Sequence, residues 1–280
     1  MSRNADTRRL GGSDERSSAT PDSRITPDGA DTLIAQGNGY RPATDEDLFN
    51  YLDFTTAVVP LERNSIYGSL EYDLSSNITA SIEASYLETE SESTLAPTPV
   101  FSAFEQTPIT VAADNIYNAF GQPLTDVRRR LVEFPDRQQR NESEVSRFSA
   151  VVAGQTSDWY WDLSYNWSRS EAWERTTNLV NAERLRRGVG PAVQCQGGAI
   201  DGCVPINLLG PAGSIDAQQV DYIRASGEVS GYSKLAGFSG NLSGRPFEIR
   251  HGGIDVAFGA EARNESTSKR PDALLASTGT

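Results

Sequence analysis

The sequence predicts an all-β fold, and more narrowly an antiparallel transmembrane β-barrel fragment with about six long strands in three hairpins. Three observations lead to this class. Apolar and polar residues alternate in six separate runs, the runs are similar in length, and the connections between them are alternately short and very long. Because side chains of a strand point alternately to opposite faces, a period of two describes strands with one apolar and one polar face. The hairpins are predicted near residues 64–88, 146–173 and 232–266.

The first hairpin lies in the stretch NSIYGSLEYDLSSNITASIEASYLE, residues 64–88. One face of its two runs carries Ile66, Gly68, Leu70, Tyr72 and Leu74, followed by Ile78, Ala80, Ile82, Ala84 and Tyr86. The segment 75–77 between the runs consists of Ser-Ser-Asn, which are residues that favour turns. Two alternating runs joined by so short a connection predict a β-hairpin.

The second hairpin contains all four tryptophans of the chain, within the stretch WYWDLSYNWSRSEAW. Its first run places Phe148, Ala150, Val152 and Gly154 on one face, and its second run places Trp159, Trp161, Leu163, Tyr165 and Trp167 there. Ser157 and Asp158 form the predicted turn. A half-buried strand of a soluble sandwich shows the same alternation, so this stretch alone leaves both structures open.

The third hairpin has a less regular pattern. Its apolar face carries Ala236, Phe238, Gly240 and Leu242, then Ile254, Val256, Phe258, Ala260 and Ala262, with the connection RPFEIRHGG between them.

The length of the apolar runs favours a membrane. A typical run has five same-side positions over nine residues, and the next same-side residue outward is polar, as at Asn64, Glu88, Arg169, Lys234 and Asn264. A tilted β-strand needs about 9–11 residues to cross the hydrocarbon of a bilayer. Two of the three turns are short, whereas residues 88–145 and 174–230 form much longer connections. Short periplasmic turns and long extracellular loops are typical of bacterial outer-membrane barrels.

Six aromatic residues are predicted to lie at the two membrane interfaces, where aromatic girdles flank the apolar band of such barrels. They are Trp159, Trp161, Trp167, Trp173, Tyr72 and Tyr86.

The domain prediction has three parts. Residues 1–60 are expected to be polar, loop-like or poorly ordered, residues 61–268 to form the partial barrel, and residues 269–280 to be a truncated tail. The first residues lack the apolar core of a secretion signal. We therefore expect an internal barrel fragment or a truncated gene product.

The two cysteines, Cys195 and Cys203, lie in the Gly-rich stretch VQCQGGAIDGCVP. No second cysteine pair or nearby histidine accompanies them, which argues against a zinc site, and the lone His251 is distant. They are expected to form a disulfide, which indicates an oxidising compartment. Two free thiols are the alternative.

The remaining charges predict neither nucleic-acid binding nor catalysis. A net charge of −13 lacks the basic footprint that nucleic-acid binding requires. No catalytic constellation, metal site or cofactor site is evident, so an enzyme is not expected. The consecutive Arg128, Arg129 and Arg130, in the stretch 127–144, are candidates for contact with a ligand or with lipopolysaccharide. A solvated loop is the alternative and is favoured, because acidic residues follow closely.

Several blocks of the sequence resemble the TonB-dependent outer-membrane receptors of Gram-negative bacteria. These blocks are LERNSIYGSLEYDLSSNITASIEASYLETE, ADNIYNAFGQP, NAERLRRGVGPAVQC, CVPINLLGPAGSIDAQQVDYI and GIDVAFGAEAR, in family order. The resemblance implies part of a 22-stranded barrel that is filled by a plug and imports a scarce ligand with energy from a periplasmic partner.

The resemblance also implies the partners and the location. These are the TonB complex, outer-membrane lipid and lipopolysaccharide, and an unknown small ligand such as a siderophore, cobalamin or saccharide, at the bacterial outer membrane. The sequence departs from the family in showing no signal peptide, TonB box, plug or closing strand. The alternative is a passive outer-membrane barrel or a surface adhesion protein without energy coupling.

Overall fold

The fold is all-β, as predicted. The computed structural model describes residues 3–198, 202–250 and 252–277, and the structural statements below refer to these ranges. Strands hold 55% of the residues and helices 12%. All pairings between the strands are antiparallel. The antiparallel all-β class is therefore confirmed.

The structure contains five short strands and six long ones within the described residues. They are β1 (Arg24–Thr26), β2 (Leu33–Gln36), β3 (Gly39–Pro42), β4 (Leu61–Ser75), β5 (Ile78–Leu95), β6 (Pro99–Phe101), β7 (Asp126–Arg130), β8 (Arg137–Thr156), β9 (Trp159–Val180), β10 (Arg224–Ile249) and β11 (Gly252–Pro271). The α-helices are α1 (Ala182–Gly188), α2 (Ala217–Ile223) and α3 (Ala273–Ser277). Short 3-10 turns occupy Arg8–Leu10, Asp45–Asp47, Tyr51–Asp53 and Ala192–Gly198.

Six of these strands form one sheet in the order β11-β10-β9-β8-β5-β4, which we call the long sheet. It consists of the three predicted hairpins. Two connecting residues separate β4 from β5 and β8 from β9, and Ile249 pairs with Gly252 across an equally short third turn. His251 lies outside the described residues. In the part of the chain that the structure describes, the sheet is open, with β4 and β11 at its edges.

The strands are longer than the apolar runs that predicted them. The hairpins span residues 61–95, 137–180 and 224–271, beyond the predicted 64–88, 146–173 and 232–266. The backbone ladder continues past each apolar run because hydrogen bonding between strands does not depend on side-chain polarity. Apolar periodicity therefore indicates only the part of each strand that carries the apolar run. For this reason the predicted hairpins are shorter than the observed ones at both ends.

The remaining segments fold into a second unit, which we call the cap. It comprises residues 3–60, 96–136, 181–198 and 202–223 and contains a five-stranded sheet in the order β3-β2-β1-β7-β6 together with α1 and α2. The cap holds nearly all of the buried apolar core that the structure describes. The core cluster contains Ile25, Val100, Ile109, Val111, Leu124, Val127, Leu131, Phe134, Val180, Leu185, Val189, Ile206, Leu208, Leu209, Ile215, Val220, Tyr222 and Ile223.

Two sequence predictions are wrong in this unit. Residues 1–60 are not simply loop-like, since β1, β2 and β3 lie there and Ile25 and Ile34 are buried. The stretch 127–144 is not a solvated loop, since it contains most of β7 and the start of β8. Strands of three to five residues are too short to show periodicity, and β1 pairs with β7 across about one hundred residues of sequence.

The cap sits at the end of the long sheet away from the tight turns. Leu179 and Val180, the last residues of β9, are buried there. Thr98 donates a hydrogen bond of 2.7 Å to the carbonyl of Asn178, and the amide of Asn181 donates one of 2.8 Å to the carbonyl of Ile223. At the same end, α3 follows β11 and its Leu275 lies over Gly227 of β10. The predicted tail 269–280 is thus partly strand and partly helix, and residues 278–280 lie outside the described ranges.

Candidate membrane-facing site

The apolar runs of the six long strands lie together on one face of the long sheet. One row of paired residues crosses the sheet through Leu70, Ile82, Ala150, Tyr165, Phe238 and Ala262. The next row crosses it through Tyr72, Ala80, Val152, Leu163, Gly240 and Ala260. We call the same-side residues of runs 66–74, 78–86, 148–154, 159–167, 236–242 and 254–262 the apolar belt, and their face the belt face.

The belt face is exposed in this chain. Leu70 is 64% exposed, Phe238 is 52% exposed and Phe258 is 64% exposed. Soluble monomers seldom expose a contiguous apolar surface as large as one that runs across six strands, and such surfaces mark contacts with proteins or membranes. The belt therefore needs an apolar environment that lies outside the described residues.

Four runs of the belt have five same-side positions and two have four, and the position of the belt shifts from strand to strand. Five same-side positions extend about 26 Å along a strand, at about 3.3 Å per residue. On β4, which is five strand spacings from β11, the belt ends at Ile66, in the same row as Arg169 and Lys234, whereas on β11 it ends at Ala262, two rows nearer the turns. Two rows over five strand spacings of about 4.8 Å correspond to an inclination of about 30°. The strands thus run obliquely to the belt.

Two belt tryptophans lie flat over glycines of neighbouring strands. A Cβ atom at Gly154 would approach the Trp161 ring to 2.7 Å, and one at Gly244 would approach the Trp159 ring to the same distance. Only glycine leaves room for these rings in a smooth sheet surface. The two rings therefore occupy the turn-side end of the belt without protruding from it.

The predicted aromatic residues fall into three positions. Trp159, Trp161 and Tyr72 lie toward the turn-side end of the belt, and Trp167 and Tyr86 lie at its cap-side end. Trp173 differs, because it lies six residues beyond Trp167 and past the charged pair Arg169 and Glu171. Trp173 is thus displaced from the row that an interfacial residue would occupy.

The opposite face of the long sheet is polar, and its side chains bond to one another across the strands. The Ser149 hydroxyl donates to the Asn166 side-chain oxygen at 2.9 Å. The Asn241 amide donates to Asp162 at 2.9 Å, and the hydroxyls of Ser164 and Ser239 lie 2.7 Å apart. These contacts confirm that the alternation in the sequence separates two chemically different faces.

The three consecutive arginines belong to the cap rather than to the belt. Arg129 is fully buried, with 0% exposure, and its guanidinium donates to the carbonyls of Asn207 at 2.9 Å, Gly210 at 3.0 Å and Pro211 at 2.9 Å. It also pairs with Glu133 at 2.6 Å. Burial lowers the pKa of Arg129, and the Glu133 carboxylate opposes that shift. Arg129 therefore ties β7 to the segment 207–214.

Its two neighbours have different surroundings. Arg130 is also buried, donates to the carbonyl of Pro97 at 2.9 Å and lies over the ring of Phe49, and burial lowers its pKa to about 10. Arg128 faces the other side of the strand and pairs with Asp126 at 2.8 Å. Arg129 and Arg130 are thus buried in the cap, so neither guanidinium group lies on the surface of the described residues.

Sequence reasoning missed the partners of Arg129. Glu133 is only four residues away, but Asn207 and Gly210 come from a segment about eighty residues along the chain, and no local pattern connects that segment with Arg129. The only available signal was the presence of several arginines beside apolar residues in β7, which could have suggested burial.

The predicted disulfide between Cys195 and Cys203 is present, with Cα atoms 4.9 Å apart. This separation is within the usual range for disulfides. The bridge closes a loop next to α1, where the amide of Ile206 donates to the carbonyl of Gly188 at 2.9 Å. Residues 199–201 of that loop lie outside the described ranges.

Replacing both Cys195 and Cys203 with Ser is expected to lower the stability of the cap by about 2–3 kcal/mol, because a bridge over so short a loop restricts the unfolded chain only modestly. Amide hydrogen exchange of Ile206 and Val189, the latter bonded to Leu185 in α1, measures this change. Alkylation of the unreduced protein is the control and should label neither cysteine. Two labelled thiols would contradict the bridge.

In the described residues, no helix combines the length and the apolarity that a membrane span requires. No group of three or more His, Cys, Asp or Glu side chains there is arranged to hold a metal ion.

Comparisons with known proteins assign the chain to no family, so its class is defined by its fold alone. No protein-family model matches the sequence, and no curated protein matches it either. The structure defines an antiparallel all-β protein with a two-faced sheet and a folded cap, and the resemblance to outer-membrane receptors remains a hypothesis.

Proposed function

We propose that the chain is part of the barrel of a TonB-dependent outer-membrane receptor, a transporter rather than an enzyme, that takes up a scarce ligand. The observation that carries this proposal is the apolar belt. Its length matches the apolar band of about 25 Å in outer-membrane barrels. Its inclination of about 30° is near the tilt of their strands, which is about 35–45°.

The polar face and the sheet edges support the same proposal. In a barrel the belt face meets lipid and the polar face lines the lumen, where Ser, Asn and Asp side chains are solvated. Lipid does not tolerate unpaired strand edges, so β4 and β11 require strands beyond the described six. The tight turns then face the periplasm, and the cap stands on the extracellular side.

In this proposal, the cap provides the ligand-binding surface. Three separate segments share one apolar core there, so ligand-contacting residues would be held by a folded unit and not by independent loops. The same feature favours a second candidate, a surface adhesion protein or passive barrel without energy coupling, because a rigid cap suits contact with another surface.

One experiment separates these candidates. The full-length protein that contains this chain is located by membrane fractionation, and a photo-crosslinker in the periplasmic partner TonB tests for contact. A TonB-dependent receptor is expected in the outer membrane with a crosslink to TonB. Outer-membrane location without a crosslink would support the passive barrel or adhesion protein, and a water-soluble protein would contradict both.

A further inference from the structure

We propose that a pocket beside α1 in the cap binds a small organic molecule with a single carboxylate group, and that Arg186 recognises this group. The inference deepens the proposed function and rests on it, because it names the class of ligand that the cap would take up. The pocket lies between α1, the segment 108–110 and the segment 190–194, and we call it the α1 pocket. Its principal side chains are Pro108, Glu183, Arg186, Arg187, Pro191 and Gln194.

The α1 pocket has the size of a small-molecule site and firmly held walls. Its volume is about 550 Å³, and such sites usually have about 300–1,000 Å³. The buried Asn115 side-chain amide donates to the carbonyls of Gly188 at 3.3 Å and Gly190 at 3.1 Å, which holds one wall. Gln194 packs against Gly190, where a Cβ atom would approach its side-chain oxygen to 2.5 Å. A ligand would therefore enter a preformed pocket.

The charged side chains of the α1 pocket leave one positive charge in excess. Glu183, Arg186 and Arg187 share one side of α1, because they are spaced at i, i+3 and i+4. Nη1 of Arg186 lies 2.6 Å from Oε2 of Glu183, and Nε of Arg187 lies 3.2 Å from Oε1 of the same carboxylate. Two guanidinium groups thus share one carboxylate, in a chain whose net charge is −13. A locally cationic pocket attracts an anion.

Glu183 occupies the place that a ligand carboxylate would take. Its side chain is 52% exposed, whereas that of Arg186 is 27% exposed, so the glutamate can turn toward water at little cost. The Nη2 of Arg186 donates to the carbonyl of Thr107 at 3.2 Å, and its Nε is buried without a hydrogen-bond partner among the described residues. A guanidinium group binds a carboxylate through two parallel N–H donors. A ligand that replaces Glu183 therefore finds donors already directed by the protein.

The composition of the α1 pocket favours a monocarboxylate with an apolar body. The single excess positive charge is neutralised by one carboxylate, whereas a phosphate monoester carries about two negative charges at neutral pH. The second negative charge would lie near Glu183 and be repelled. Pro108 and Pro191 contribute apolar rings to the walls, which suit the hydrocarbon part of such a ligand.

The test uses the full-length protein that contains this chain, in detergent micelles, with affinity measured by saturation-transfer NMR. Benzoate is the probe, benzamide is its neutral counterpart, and phenyl phosphate is its counterpart with a second negative charge. The wild-type protein is expected to bind benzoate about tenfold more tightly than either counterpart, because only benzoate matches both the donors and the charge of the pocket.

Two variants should change benzoate binding in opposite directions. Arg186→Gln is expected to weaken it by about tenfold, and Glu183→Gln to strengthen it by about threefold, because the second change removes the carboxylate that competes for Arg186. Loss of structure alone would weaken binding in both. Arg184→Gln is the matched control, since it removes the same charge from α1 but Arg184 lies over the ring of Tyr222, outside the pocket lining. Its benzoate affinity should be unchanged.

Several results would overturn the inference. They are failure of the wild-type protein to bind benzoate, equal affinity for benzoate and benzamide, tighter binding of phenyl phosphate, and unchanged benzoate binding by a folded Arg186→Gln protein. Arg187→Gln takes the place of Arg186→Gln, with the same expected result, if the latter does not fold. These results leave the proposed function standing where the protein is in the outer membrane and crosslinks to TonB. A water-soluble protein that binds benzoate would contradict the proposed function and retain the pocket.

Discussion

Replacing Arg129 with Ala is expected to destabilise the cap by about 3–5 kcal/mol, the usual cost of removing one partner of a buried ion pair. The substitution removes the cation that faces the buried Glu133 carboxylate and the guanidinium donor to the carbonyls of Asn207, Gly210 and Pro211. Amide hydrogen exchange in the segment 207–214 measures the loss, because opening of that segment should become more frequent by two to three orders of magnitude or more.

Arg128→Ala is the matched control, since it removes the same side chain one residue earlier in the same strand. Arg128 is 29% exposed and pairs with a partly exposed Asp126, whereas Arg129 is 0% exposed. Exposed pairs contribute about 0–1 kcal/mol, so Arg128→Ala should change hydrogen exchange little. Similar exchange in the two variants would mean that Arg129 does not hold the three cap segments together.

Replacing Tyr165 with Arg is expected to destabilise the membrane-inserted protein by about 2–4 kcal/mol, the cost of a cationic side chain on the lipid face near the bilayer midplane. Tyr165 lies inside the belt, one row from the middle residue Leu163 of the β9 run and between Ala150 and Phe238. The variant would be made in the full-length protein, with heat-modifiable mobility on gels as the measure of a folded barrel and denaturant titration as the measure of stability.

Asn166→Arg is the control for this substitution. Asn166 neighbours Tyr165 but points to the polar face, where it accepts a hydrogen bond from Ser149. An arginine there would lose one exposed hydrogen bond and remain solvated, so the expected cost is below about 1 kcal/mol. Equal costs at the two positions, or a larger cost at Asn166, would show that the belt face does not meet lipid.

The long sheet could be predicted from the sequence because the features that define each hairpin lie close together in the chain. Each strand alternates side-chain polarity over at least seven residues, and each turn is two residues long, so neighbouring strands such as β8 and β9 pair without any distant information. Pairing of β5 with β8 also follows, because antiparallel strands with matching apolar runs place Ala84 opposite Phe148. Two cysteines in one short loop likewise made the disulfide predictable.

The cap could not be predicted because the residues that pair and bond within it are far apart in the sequence. Arg24 pairs with Arg128 in the sheet, and Arg129 bonds to carbonyls about eighty residues away. No local pattern connects such segments, and the polar composition of residues 1–60 masked the few apolar residues, such as Ile25, that enter the core.

Contact between the belt face and lipid is the central claim, and spin-label accessibility tests it most directly. Single cysteines are placed in turn at positions 161 to 168 of β9 in the full-length protein, where the native Cys195 and Cys203 are bridged and do not take up the label. Accessibility to oxygen, which concentrates in lipid, should be high at Trp161, Leu163, Tyr165 and Trp167. Accessibility to a water-soluble nickel chelate should be high at Asp162, Ser164, Asn166 and Ser168. Oxygen accessibility without this period of two, or with its maxima at the even positions, would contradict the account.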